Sequence, residues 1–128
     1  MTDLESVLRS AFAGGHVARL TGQTFTVTSP IVIDVTSSFH APVGIDLGGA
    51  KIISRIANGG PVIQINAGPG VDLRHLTLSD FSILGNGGEG DGIRIVADGT
   101  DRRVGDWTIS DVSVEHVGGV GLDIVGNV

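Results

Sequence analysis

Two stretches of this sequence are near copies of one another, and this internal repeat restricts the fold more than any other feature. Leu76 to Ile95 reads LTLSDFSILGNGGEGDGIRI, and Trp107 to Ile124 reads WTISDVSVEHVGGVGLDI. The first halves align at an offset of 31 positions and the last four residues at 29, so the second copy is two residues shorter. A repeat of this length, made of short alternating apolar segments, is typical of architectures that stack equivalent strands.

The composition agrees with stacked strands joined by tight turns. Glycine accounts for 21 of the 128 residues, aromatic residues for 4%, and tyrosine is absent. Val, Ile and Leu must therefore fill the core, and these residues suit strands. A chain of this length forms one domain.

Charge and cysteine content exclude several classes of function. The net charge of −6 and the lack of clustered Lys or Arg argue against a nucleic-acid partner. No apolar run approaches the roughly 18 residues of a membrane span. Without cysteine, the chain has no disulfide, zinc-thiolate site or thiol nucleophile. No pattern of metal or cofactor ligands replaces them, so we expect neither group.

The N-terminal residues predict a short amphipathic helix. Thr2 and Glu5 form a capping box, and Gly14-Gly15 ends the segment. Apolar residues recur at helical spacing between these signals, namely Leu4, Val7, Leu8, Ala11 and Phe12. We expect residues 1–15 to cover the open end of a strand stack formed by residues 16–128.

The remaining chain reads as about four layers of strands. The predicted strands are Val17 to Leu20, Thr24 to Thr28, Ile31 to Val35, Val43 to Leu47, Lys51 to Ile56, Pro61 to Ile65, Leu73 to Leu78, Phe81 to Leu84, Gly92 to Val96, Trp107 to Ile109, Val112 to Val114 and Gly121 to Val128. Stacking them predicts three apolar columns: Ile63, Ile93 and Leu122; Ile65, Ile95 and Ile124; and Ile45, Leu76 and Trp107.

The helix, the following GGHVARLTGQTFTVTSPIVI (Gly14 to Ile33) and the LTLSDFSILGNGGEGDGIRI segment resemble the pectate lyase-like superfamily of right-handed parallel β-helix proteins. The resemblance implies an all-β solenoid with an N-terminal capping α-helix and three strands in each coil. It leaves function open, because this scaffold serves polysaccharide lyases, glycoside hydrolases, epimerases, phage tailspikes and adhesins.

The catalytic motifs of these families are missing. We find no match to the paired-aspartate, Gly-His-Gly and Arg-x-Lys set of polygalacturonases or to the Asp-Pro-His-Glu signature of alginate epimerases. We therefore expect no catalytic residue in this chain. We expect the chain to be the non-catalytic N-terminal part of a longer carbohydrate-active β-helix protein. That parent would be a lyase, hydrolase or epimerase. The alternative is a phage tailspike or surface adhesin that binds polysaccharide, and either parent favours an extracellular or virion-surface location.

One polar column is a candidate ligand site. Gln64, Arg94 and Asp123 occupy equivalent positions between inward-facing apolar residues, so they should point outward from one sheet. Together with Asp91, Arg94 and Asp123 could hold a carboxylate or hydroxyl group of a polysaccharide. The competing interpretation is a surface ion pair along the ladder.

Other polar features favour structural roles. Asp80 and Asp111 are equivalent in the repeat and should adopt the left-handed conformation at a bend, although stacked carboxylates could also form an acid dyad. Residues 86–91 resemble a calcium-binding turn with the wrong spacing. The charged loop 97–106 reads as solvated. The four histidines, at positions 16, 40, 75 and 116, lack metal-ligand spacing.

The last strand carries the prediction of self-association. Residues 121–128 should present an unpaired strand edge and an apolar cross-section, with Leu122, Ile124, Val125 and Val128 at the interface. We expect two copies to meet through this open coil with two-fold symmetry, and a side-by-side trimer is the alternative.

Overall fold

The computed structural model describes residues 4–20, 22–36, 42–57, 59–68, 71, 73–97, 104–105 and 107–126. Over these residues the protein is mostly β, with one short helix and parallel sheets. The helix α1 is Leu4–Gly14. The strands, in chain order, are β1 Val17–Arg19, β2 Thr24–Val27, β3 Ile31–Val35, β4 Val43–Ser54, β5 Ile63–Ala67, β6 Leu73–Arg74, β7 Leu76–Leu84, β8 Ile93–Ala97, β9 Val104–Gly105, β10 Thr108–Glu115 and β11 Leu122–Gly126.

Helix α1 forms where the apolar spacing predicts it. Its buried face consists of Leu4, Leu8, Ala11 and Phe12, and it packs against β1, β3 and β4. The helix ends because Gly15 adopts a positive φ of 74°, a conformation that costs glycine little. The predicted capping residue Thr2 lies outside the described residues. The helix therefore covers one end of the sheets, as the sequence predicts.

Among the described residues the strands form three sheets, and every strand pairing in them is parallel. The first has the order β1-β4-β7-β10, with β2 also paired to β4; the second is β3-β5-β8-β11, and the third is β6-β9. From β5 onward, the chain visits the second, third and first sheets in rotation. Each return places a new strand beside its predecessor in the same direction, which requires a long connection.

Two of the three predicted apolar columns are confirmed. Ile63 pairs with Ile93, which pairs with Leu122, and the neighbouring column of isoleucines ends at Ile124 in the same register. Side chains at these positions alternate across each strand, so the apolar residues share one face. All members before β11 are buried, and their packing forms the core between the sheets.

In the third predicted column, the place of Ile45 is wrong. Ile45 pairs with Leu78, and Leu76 pairs with Val43. The offset between β4 and β7 is 33 positions before an irregularity at Asp46–Ala50 and 31 after it, because β4 contains two extra residues there. Ile45 and Leu76 are 31 positions apart, so the predicted column used the second offset where the first one applies. A shift of two residues keeps side chains on the same face, so apolar alternation does not detect it.

Several predicted strand boundaries fall inside longer strands. The two strands predicted on either side of Gly48-Gly49 form the single strand β4, and Gly48 and Gly49 have φ values of 58° and 87°. Asp80 and Asp111 likewise lie within β7 and β10 rather than between strands. Their φ values of 60° and 55° confirm the predicted left-handed conformation. These residues bend strands that continue beyond them.

Candidate functional sites: the C-terminal edge and the outward polar column

The polar column of Gln64, Arg94 and Asp123 is in register in the second sheet, as predicted. Gln64 pairs with Arg94, and Arg94 pairs with Asp123. All three side chains are half-buried. Gln64 does not turn toward Arg94; its Nε2 donates to Asn66 Oδ1 at 2.9 Å. The amide of Asn66 in turn donates to Asp34 Oδ1 at 3.0 Å. The column is therefore divided: Gln64 bonds to Asn66 of its own strand, and Asn66 in turn bonds to Asp34 of β3.

The structure brings Asp91 against Asp123, as predicted, and the two carboxyl groups share a hydrogen bond. Asp91 Oδ1 also accepts a hydrogen bond from the Val120 N–H at 3.0 Å. The hydrogen bond to Asp91 raises the pKa of Asp123, with further contributions from desolvation and from the charge of Asp91, while Arg94 opposes them. Asp123 therefore binds a proton more readily than an isolated aspartate does.

Arg94 is the cationic member of the column. Its Nε atom is buried and makes no hydrogen bond among the described residues. A guanidinium with a free N–H can donate to a carboxylate or hydroxyl oxygen. The column therefore holds a cation with an unsatisfied N–H donor beside the carboxyl group of Asp123.

The second site is the C-terminal edge, which we define as β10, β11 and the segment 116–121 between them. Strands β10 and β11 are the last members of the first and second sheets. Their apolar side chains continue the core columns but lack a covering layer. Among the described residues, the large exposed hydrophobic side chains all lie here: Ile109 (41% exposed), Val120 (54%), Leu122 (39%) and Ile124 (39%).

The predicted interface residues differ in their exposure. Leu122 and Ile124 are exposed, and Val125 is half-buried. Val128 lies outside the described residues. Sequence analysis did not include Ile109 and Val120, although both continue the apolar alternation of the repeat. They widen the apolar surface from one strand to both strands of the C-terminal edge.

The C-terminal edge is also acidic. It carries the carboxylates of Asp111, Glu115 and Asp123, whereas the described residues 107–126 contain no Lys or Arg. Asp111 and Glu115 are exposed, and Asp123 is half-buried. Asp111 lies opposite Asp80 of β7, between the paired residues Ser110–Ser79 and Val112–Phe81. The edge is thus both apolar and uniformly negative.

A buried carboxylate that sequence analysis missed lies between β7 and β8. Glu89 is 3% exposed, and the Ser54 hydroxyl donates to its Oε2 at 2.6 Å. The Asn86 and Gly87 N–H groups also donate to it. Burial by itself raises the pKa of Glu89, but these hydrogen bonds outweigh burial and lower it. The glycine-rich turn around Glu89 was the only signal of this role in the sequence.

The turn 86–91 holds neighbouring chain segments together. Gly88 O accepts a hydrogen bond from Gly59 N at 2.8 Å, and Gly90 O accepts one from Gly119 N at 2.8 Å. Because Glu89 points into the protein and is satisfied by protein donors, this carboxylate does not form part of the calcium-binding turn that the spacing resembles. Among the described residues, no group of three or more His, Asp or Glu side chains is arranged to hold a metal ion.

The other candidates lie apart from these sites, except His116, which begins the segment 116–121 of the C-terminal edge. His75 and His116 adopt positive φ values of 62° and 59°, and both side chains are exposed. Trp107 is partly buried against the core, as its predicted packing role requires. His40 and the charged residues of the loop, Asp98, Asp101, Arg102, Arg103 and Asp106, lie outside the described residues.

At the opposite end, a groove of about 790 Å³ runs beside β2 and the start of α1. Glu5 and the polar side chains from Gln23 to Ser29 line it together with Phe25, Val27 and Ile31. It contains none of the predicted site residues.

Comparisons with protein-family models, with curated proteins and with solved structures find no match to this chain. In the part of the chain that the structure describes, no helix is both long enough and apolar enough to span a membrane.

Proposed function

We propose that this chain is the helix-capped N-terminal part of a right-handed parallel β-helix protein of the pectate lyase-like type, and that it acts as a structural scaffold. The regular return of the chain to each sheet, always in parallel register, supports this proposal. The helix that packs against β1, β3 and β4 supports it as well. In this proposal the chain closes one end of the solenoid, and any lyase, hydrolase or epimerase chemistry belongs to other parts of the parent protein.

We further propose that the scaffold self-associates through the C-terminal edge. The observation that carries this proposal is the difference between the ends: Leu8 of α1 is completely buried, whereas Leu122 and Ile124 of the last strand are each 39% exposed. Burying such side chains against a partner is favourable by roughly 25 cal/mol for each Å² of apolar surface removed from water.

A second copy of the chain is the occupant that fits this surface best. The edge offers the described residues 107–126, and a standard interface uses about 20–30 residues on each side. The same apolar surface on two copies is self-complementary under two-fold symmetry. A strand edge also provides unpaired backbone groups, which a second strand edge can satisfy.

Light scattering across a dilution series tests this proposal. The unsubstituted 128-residue chain should show the mass of a dimer that dissociates on dilution. The Ile124→Asp variant should show the mass of a monomer. The control is the variant Thr26→Asp, because Thr26 is exposed on strand β2 at the opposite end. This variant should associate as the unsubstituted chain does. The proposal is contradicted if the unsubstituted chain is monomeric at every concentration. It is also contradicted if the Ile124→Asp variant associates as strongly as the unsubstituted chain.

The alternative is a tailspike-like or adhesin-like rod that binds polysaccharide. The observation in its favour is the outward column, where Arg94 has a buried Nε without a hydrogen-bond partner next to Asp91 and Asp123. Titration calorimetry with neutral and acidic oligosaccharides tests it, with Arg94→Gln as the variant. Binding that Arg94→Gln abolishes, combined with the mass of a side-by-side trimer, would favour this function over the end-to-end dimer.

A further inference from the structure

We propose that Asn86 is a site of self-modification, at which the chain converts this asparagine to a succinimide and then to aspartate or isoaspartate, with Glu89 as the general base. The site lies in the turn 86–91 and reacts whether or not the chain self-associates. The hydrogen bonds of this turn bring together a nucleophile, an acceptor for its proton and a donor to the attacked carbonyl group.

The backbone nitrogen of Gly87 is the nucleophile. The nitrogen of the residue after an asparagine can attack Cγ of that side chain, because the new bond closes a five-membered ring. Gly87 has no Cβ to shield its nitrogen, and apart from its chain neighbours no atom lies within 4 Å of the place where a Cβ would stand. Asn86 and Gly87 are both exposed, so water can reach the product.

The carboxylate of Glu89 is placed to take the proton from that nitrogen. The Gly87 N–H donates to Glu89 Oε1 at 2.8 Å, which is within range for proton transfer. The Ser54 hydroxyl donates to the other oxygen, Oε2, at 2.6 Å and so fixes the orientation of the carboxylate. The hydrogen bonds that lower the pKa of Glu89 also keep it ionised at neutral pH, which is the form that accepts a proton.

The same turn polarises the side-chain carbonyl group of Asn86. The Gly88 N–H donates to Asn86 Oδ1 at 2.8 Å. Negative charge develops on Oδ1 as the Gly87 nitrogen adds to Cγ, and a donor that already points at this oxygen stabilises that charge. The hydrogen bond also folds the side chain back over the Gly87 peptide, so the attacking and attacked atoms start close together.

The reaction has two steps. In the first, a bond forms between Gly87 N and Asn86 Cγ while Glu89 accepts the proton from the nitrogen. That proton passes to the amide nitrogen of Asn86, the Cγ–Nδ2 bond breaks, and ammonia leaves. In the second step, water opens the succinimide at one of its two carbonyl carbons and gives aspartate or isoaspartate. The net change replaces ammonia by water, adds one negative charge and raises the mass by about 1 Da.

The chain contains a second copy of the same tripeptide without this base. Asn-Gly-Gly occurs at residues 58–60 and at residues 86–88, but only the second copy is followed by Glu89, since a proline follows the first. The Gly59 N–H donates to a backbone carbonyl oxygen at 2.8 Å, which does not take up a proton as a carboxylate does. Asn58 lies outside the described residues, and in an experiment it serves as an internal reference of the same local sequence.

Peptide mapping by mass spectrometry during incubation at neutral pH tests the proposal, because it follows both asparagines in one sample. In the folded chain, Asn86 should convert at least about tenfold faster than Asn58, the low end of what a positioned base and donor contribute. In urea the two rates should be similar, because the tripeptides are identical. The proposal is overturned if Asn86 is no faster than Asn58 in the folded chain, or if unfolding accelerates its conversion.

Substitution of the base tests the role of Glu89 directly. Glu89→Gln should slow the conversion of Asn86 at least about tenfold. Glu115→Gln is the matched control, because it removes an exposed carboxylate from β10, and it should leave the rate at Asn86 unchanged. Circular dichroism verifies that both variants fold. If Asn86 converts in Glu89→Gln as fast as in the unsubstituted chain, or faster, Glu89 is not the base.

The pH dependence of the unsubstituted chain provides a test that does not require a variant to fold. Without a positioned base the reaction depends on hydroxide, so the rate at Asn58 should fall about tenfold for each pH unit from about pH 8 to about pH 6. The rate at Asn86 should fall less, because Glu89 stays ionised over this range. The ratio of the two rates should therefore rise as the pH falls. A ratio that is independent of pH contradicts general-base catalysis by Glu89.

Discussion

The two ends of this protein differ in how their apolar residues are covered. At the N-terminal end, α1 places Leu4, Leu8 and Phe12 over the first strands, and each of these side chains is at most 5% exposed. At the C-terminal edge, the equivalent apolar columns end at Leu122 and Ile124, which remain 39% exposed. Similar strands thus end in buried apolar side chains on one side and, among the described residues, in partly exposed ones on the other.

The comparison shows that a repeating strand stack does not determine its own boundaries. The outermost strand of a sheet has unpaired backbone N–H and C=O groups along one edge until another segment hydrogen-bonds to them. The N-terminal end is closed by a segment of different sequence pattern, with helical rather than alternating spacing. The C-terminal edge keeps the pattern of the repeat, so it retains the ability to accept one more layer.

The largest expected effect is a difference between matched substitutions at the two ends. Leu8→Ala should lower the free energy of unfolding by about 2–5 kcal/mol, because it leaves a cavity under α1. Leu122→Ala should cost about 1 kcal/mol in dilute protein, because that side chain is already partly in water. Urea unfolding of both variants measures the two values. Equal losses would show that the ends are covered alike.

A second pair of substitutions compares buried and exposed carboxylates. Glu89→Gln should lower the free energy of unfolding by about 1–3 kcal/mol, because Gln cannot accept the hydrogen bonds from Ser54, Asn86 and Gly87 as an anion does. Glu115→Gln, on the exposed edge, should change it by less than about 0.5 kcal/mol. Urea unfolding at neutral pH measures both. If Glu115→Gln lowers the free energy of unfolding as much as Glu89→Gln does, the structural role of the buried Glu89 carboxylate is contradicted.

The pH dependence of stability should reflect the same buried carboxylate. The pKa of Glu89 is lowered from its ordinary value of 4.5, so the unfolded chain binds the proton more readily than the folded one. Its stabilising contribution is present above pH 4.5 and is lost as the pH falls toward the folded pKa. Glu89→Gln should therefore flatten the loss of stability in acid. If the free energy of unfolding of Glu89→Gln falls in acid as steeply as that of the unsubstituted chain, Glu89 is not the source of the acid sensitivity.

The smallest expected effect concerns backbone strain on the exposed edge. His116 adopts a φ of 59°, so His116→Gly should raise the free energy of unfolding by about 0.5–1 kcal/mol. Asp111→Gly is the matched control at a φ of 55°, and its gain should be smaller because aspartate tolerates this conformation better. Thermal unfolding of both variants measures the difference. A loss of stability in His116→Gly would show that the imidazole makes a contribution that outweighs the strain.

Sequence analysis succeeded where the structure depends on local periodicity. The helical spacing from Leu4 to Phe12 predicted α1, and the alternation through residues 63–65, 93–95 and 122–124 predicted two columns in the correct register. Equivalence within the repeat also placed Gln64, Arg94 and Asp123 in one row. These features follow from side-chain direction, which depends only on the conformation of each segment.

The features that sequence analysis missed depend on contacts between distant segments. The two extra residues in β4 change the register before Asp46 but preserve the alternation of apolar side chains, so the pattern alone could not locate them. The burial of Glu89 depends on Ser54, which lies 35 positions away. No local pattern distinguishes this carboxylate from an exposed one.

Periodicity along the chain thus specified the kinds of elements, the inward face of the strands in two columns and the apolar character of the last strand. Tertiary structure decided the register of β4, the donors around Glu89 and the exposure of Ile109 and Val120. The physical reason is that side-chain direction is a local property of the backbone, whereas burial and hydrogen-bond partners depend on which segments the fold places side by side.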